Sequence, residues 1–93
     1  MKYGYLIKET GDVEIIRPQN GEDYSLEELQ KAVDGFIDII NLNNGKIMVL
    51  NDEGKFTKGL NAAATFLAHI HHSVAPRDYV AGDVVVCPSE MVK

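Results

Sequence analysis

Five residues within one short stretch have the right types and spacing to hold an anion: Lys55, Thr57, Lys58, Asn61 and Thr65. The segment Gly54-Lys55-Phe56-Thr57-Lys58-Gly59-Leu60-Asn61 leads into a predicted helix, and Asn61 is a favoured N-cap residue. Unsatisfied backbone amides and the positive end of the helix dipole gather at such a start. A phosphate or carboxylate is their natural ligand. Lys55 and Lys58 would add positive charge, and Thr57 and Thr65 would line the same mouth. The competing reading is plainer: Asn61 only caps the helix and both lysines are solvated.

His69, His71 and His72 form the other conspicuous group. On a helix, His69 and His72 share a face, and two imidazoles can begin a zinc site. Zinc takes three or four ligands, and no Cys-x-x-Cys or paired carboxylate completes the set. The plainer reading is a polar helix end, where histidinium suits the dipole. The single cysteine, Cys87, lies among Val84, Val85, Val86 and Pro88. That setting predicts a buried, inert thiol rather than a nucleophile. No phosphate loop, dinucleotide fingerprint, His-Glu-x-x-His or nucleophile elbow is present. The chain therefore reads as non-enzymatic, with no cofactor.

The elements that must position these residues follow from periodicity. Residues 2–8 alternate as a strand, and Val13, Ile15 and Ile16 form a second, stopped by Pro18. Ser25 and Glu28 have the spacing of a capping box, with Tyr24 and Leu29 placed as a hydrophobic staple. They open a helix over 26–34, and Gly35 is suited to end it in the left-handed region. Residues 36–42 and 47–50 are two apolar runs around Asn43-Asn44-Gly45, a hairpin turn. Their two-sided apolar character predicts a central place in the sheet. Residues 51–55 read as a turn. A second helix spans 61–74, with Ala63, Phe66, Leu67, Ile70 and Val74 as its apolar stripe. Tyr79-Val80 and Val84–Cys87 flank Ala81-Gly82-Asp83 as two further strand segments. The whole of 1–93 is predicted to be one α+β domain: a mostly antiparallel sheet of about five strands with two helices packed on it.

The totals set limits on function. With 93 residues there is room for one domain with a thin core. Exposed sheet edges and that thin core favour a homo-oligomer. A net charge of −5, from 9 basic and 14 scattered acidic residues, repels phosphate backbones and argues against nucleic-acid polymers as partners. No apolar run reaches the roughly 18 residues of a membrane span. One cysteine and an N-terminus without a long apolar run predict a reducing cytoplasm.

Several segments in order carry a resemblance. They are the terminal strand pair, Leu26-Glu27-Glu28-Leu29-Gln30 through Val33–Asp38, Asn51-Asp52-Glu53-Gly54-Lys55, Gly59-Leu60 with Asn61–Thr65, and Val80–Val86. The chain resembles a family of short domains of unknown function found mainly in phages, prophages and plasmids. The resemblance implies a mobile-element accessory protein acting inside a bacterium, and no reaction. The leading expectation is a counter-defence protein that sequesters a small anionic ligand, such as a cyclic nucleotide, at Lys55, Thr57, Lys58, Asn61 and Thr65. The alternatives are a protein–protein inhibitor or adaptor using its acidic surface, and a metal-dependent hydrolase built on the histidines.

Overall fold

Gly4–Ile7 (β1) and Val13–Ile16 (β2) pair as an antiparallel hairpin in the computed structural model, which describes residues 2–92. Ile37–Asn41 (β3) and Lys46–Asn51 (β4) form a second hairpin. Val84–Pro88 (β5) is inserted between the two hairpins, antiparallel to β1 and to β4. The five-stranded order is β2-β1-β5-β4-β3. The centre is therefore β5, and β3 is an edge strand instead of the central one its apolar run predicts. Val84, Val85, Val86 and Cys87 are all buried. Each fully buried valine contributes roughly 1.5–3 kcal/mol, so the late strand is the middle of the core.

Helices cover both faces. Leu26–Val33 (α1) packs Leu29 and Val33 over Ile47, Val49, Val85 and Cys87. Ala62–Ile70 (α3) seats Ala64 and Ala68 over Ile7, Leu42, Met48, Val84 and Val86 on the other face. Between β4 and α3 lies a one-turn helix, Gly54–Thr57 (α2), where the sequence reads as a turn. The helix expected over 61–74 stops at Ile70, because His71 leaves helical geometry and His72 takes a φ of 53°. Tyr79-Val80 is not a strand; that stretch contributes only the bridge between Leu60 and Ala81.

The predicted capping box is present. The Ser25 hydroxyl accepts from Glu28 N at 3.1 Å, and the Glu28 carboxylate accepts from Ser25 N at 2.9 Å and from Gln19 N at 2.9 Å. Tyr24 and Leu29 are buried in one cluster, as a staple requires. At the other end the left-handed residue is Asp34, with φ 60° and ψ 50°, rather than Gly35 alone. Gly35 has a second reason to lack a side chain. The Asn51 amide passes there to donate to the carbonyls of Val33 and Asp34, at 3.1 and 3.0 Å. A Cβ on Gly35 would lie 2.6 Å from that nitrogen.

Asn61 has the same kind of role on the opposite face. It is fully buried, accepts from Ala64 N at 3.0 Å, and donates to the carbonyls of Ile7 and Gly82 at 3.0 and 2.8 Å. One carboxamide thus caps α3 and fastens it to the end of β1 and to the turn before β5.

Two outcomes follow. Asn61→Ala loses a cap and leaves two carbonyls without their buried donor, so urea unfolding should show a loss of about 3 kcal/mol. Asn61→Asp should not rescue it, since a carboxylate only accepts. The second concerns Glu28, whose bonds from the Ser25 and Gln19 amides hold its carboxyl below the ordinary 4.5. A carboxyl with a depressed folded pKa stabilises fully above its unfolded value and ceases to do so as pH falls through the folded one. Glu28→Ala should therefore melt a few degrees below the parent at pH 7, and thermal scans should converge as pH drops below 4.5.

Candidate functional site

The structure does not gather Lys55, Thr57, Lys58, Asn61 and Thr65 around one opening. Asn61 faces inward, and its side-chain oxygen already occupies the Ala64 amide. The Thr65 hydroxyl donates to Val80 O at 3.2 Å and accepts from Val80 N at 2.8 Å. Thr57 returns its hydroxyl to Glu53 O at 3.3 Å. The Lys55 ammonium is paired with Asp78 and lies 5.1 Å from the centre of the Tyr79 ring. Lys58 is paired with Asp34.

The charge around this segment is opposite to the expected sign. Glu9 accepts from Gly59 N at 2.6 Å, and Asp83 accepts from Glu9 N at 2.9 Å. With Asp34 and Asp78, four carboxylates surround two lysines. The hydrogen bond from Lys58 holds the Asp34 carboxyl below the usual range, and Asp34 in turn raises the Lys58 ammonium. Lys55, followed by the Tyr79 amide, does the same to Asp78. The open cationic entrance expected at residue 61 is corrected to a capped helix start with neutralised lysines.

The histidines are not placed as the helical spacing predicts. His69 Nε2 donates to the Asp78 carbonyl at 2.8 Å. His72 lies beyond the end of α3, so the shared face with His69 is lost. No group of three His, Cys, Asp or Glu residues suited to a metal occurs among the described residues.

Two other surfaces emerge. The first is the end of the sheet where β3 begins and β4 closes. Phe36 is 72% exposed and Phe56 is 88% exposed, on either side of the Asn51–Glu53 turn. A cleft of about 420 Å³ lies beside Phe56, with Asp38, Asp52, Asp78 and Tyr79 in its wall. A second, of about 340 Å³, lies beside Phe36, with Asp34, Asp52 and Glu53. Asp52 borders both. Asp38, Asp52 and Glu53 form no ion pair among the described residues. The arrangement is two exposed aromatic rings beside Asp38, Asp52 and Glu53, with the Lys55–Asp78 and Lys58–Asp34 pairs in the same walls.

The second surface is the half of the sheet that α3 leaves uncovered. Tyr5 pairs with Ile15 and Ile7 with Val13, so Tyr5, Val13 and Ile15 point to the α3 side. Tyr3 and Tyr5 meet edge to face at 5.6 Å. A groove of about 330 Å³ runs between this floor and Leu67 of α3.

A family model described as "Domain of unknown function (DUF3846)" matches residues 1–91. The chain belongs to the DUF3846 family. No curated protein and no solved structure matches it. Among the described residues of this DUF3846 chain, no helix is long and apolar enough to cross a membrane.

The rotation of α3 explains which site residues sequence reasoning missed. The stripe Ala63, Phe66, Leu67, Ile70 and Val74 is not the buried one. Asn61, Ala64 and Ala68 face the sheet, three and four residues apart, and Leu67 and Val74 are half-buried beside them. Phe66 and Ile70 are turned outward. Sequence carried no signal for this rotation beyond the cap, because the bonds of Asn61 to strand carbonyls are long-range.

Cys87 in the DUF3846 chain is buried, as its valine neighbours predict, and burial pushes its thiol up to about 11. Titration with an aromatic disulfide reagent at pH 8 should find the thiol unreactive in the native protein. It should react with one equivalent in denaturant.

Proposed function

We propose that this chain acts by non-covalent protein recognition, as an inhibitor or adaptor that docks a basic partner through the Phe36–Phe56 end of its sheet. The observation that carries the reading is the exposure of both phenylalanines beside the unpaired carboxylates of Asp38, Asp52 and Glu53. Interface centres favour aromatic anchors that enter a partner's pockets. An excess of carboxylates beside them selects partners of opposite sign and speeds encounter. The chain's −5 charge works in the same direction.

Sequestration of a small anionic ligand draws less support. Its expected groups are engaged with Asp34, Asp78, Glu53 and Val80, and the surrounding field is negative. A metal-dependent hydrolase draws none from the histidines, which join no group of three metal-suited side chains among the described residues. The setting we propose rests on the family resemblance: a phage-type accessory protein with a counter-defence role in the host cytoplasm, working without catalysis.

Affinity capture from host cells would compare three baits. The parent protein should retain a basic protein in a salt-sensitive manner. Phe36→Ser combined with Phe56→Ser should weaken retention about 30-fold, the loss of roughly 2 kcal/mol typical of an anchor. Lys55→Ala combined with Lys58→Ala should retain it undiminished. A small anion released from denatured parent protein, and absent from the lysine variant, would instead restore the ligand-binding reading.

A further inference from the structure

The uncovered half of the sheet and the outer side of α3 form one apolar step, away from the acidic end. On α3, Phe66 and Ile70 are one turn apart and stand up as a ridge, with Phe66 68% exposed. Leu67 descends from that ridge to the sheet, where the floor is Tyr5, Val13 and Ile15, with Val13 56% exposed. No carboxylate lines the groove between them; its polar members are Asn44 and Lys46. A chain of charge −5 has placed its acids elsewhere.

We propose that this face is occupied by a second copy of the chain, related by a two-fold axis, with the ridge of each copy seated in the groove of the other. Shape supports a self-pairing. A ridge beside a groove on one face can meet its own copy when rotated by half a turn, which is the condition for an isologous interface. The magnitude supports it as well. The exposed parts of Tyr3, Tyr5, Val13, Ile15, Phe66 and Ile70 amount to about 500 Å², taking roughly 150–250 Å² for a whole aromatic side chain and less for an aliphatic one. A stable interface takes about 800 Å² from each partner, and in homodimers about 65% of that is apolar. The face therefore supplies what one side of such a dimer needs. Its lack of carboxylates lets two acidic chains meet without opposing like charges at the contact. The pairing leaves the Phe36–Phe56 end of each copy free.

Size-exclusion chromatography with light scattering, at tens of micromolar, should give twice the chain mass of 10.3 kDa. Val13→Lys combined with Phe66→Lys should give the monomer mass with an unchanged far-UV spectrum, because neither side chain supports the core. Phe36→Lys combined with Phe56→Lys should remain dimeric. A parent protein that is monomeric at that concentration would overturn the proposal. So would a dimer indifferent to Val13→Lys and Phe66→Lys, which would place the contact at a sheet edge. If the lysine variant misfolds, dilution of the parent protein followed by amide NMR decides the matter. Shifts confined to Tyr5, Val13, Ile15 and the 66–70 turn support the face, and shifts confined to other residues exclude it.

Discussion

The carboxamide of Asn61 joins three parts of the chain that are far apart in sequence. It closes the first turn of α3, takes up the carbonyl at the end of β1, and takes up that of Gly82 before β5. Because all three bonds are buried, the group cannot be exchanged for water without leaving polar atoms stranded. Much else follows from its inward position. The Ala64 amide at the helix start is taken by the protein's own cap. The helix is turned so that Ala64 and Ala68 meet the sheet, and Phe66 and Ile70 are left outside. The approach through Lys55 and Lys58 runs along the surface, where both ammoniums meet carboxylates.

Asn51 is a second device of the same kind on the other face. It holds the end of α1 through two carbonyls and also accepts from Glu53 N at 2.7 Å. Each helix is thus fixed at one end by a buried asparagine and along its length by apolar contact. The asparagines set where each helix sits and how it is rotated, and the apolar contact supplies most of the free energy. This division suits a domain whose core is only one sheet and two short helices deep.

Local signals were legible in the sequence. The box of Ser25 and Glu28, the two hairpins and the valine run of β5 all come from contacts within a few residues, and they stand where periodicity puts them. Strand order was not legible, because the apolar run of β3 satisfies an edge with one covered face as well as it would a centre. The role of Asn61 as a cap could be read from its type. Its two donated bonds span 54 and 21 residues, and no local pattern encodes them. The same holds for the aromatics. Phe36, Phe56 and Phe66 look like core residues by type alone, and only the packed arrangement shows that Ala64, Ala68 and the valines fill the space they would have taken.

The seat of α3 is made mainly of two methyl groups, those of Ala64 and Ala68. A nine-residue helix is marginal on its own, and alanines offer it little surface to grip. On the opposite face α1 grips the sheet with the larger side chains of Leu29 and Val33. The bonds of Asn61 therefore carry a larger share of the attachment of α3 than those of Asn51 carry for α1.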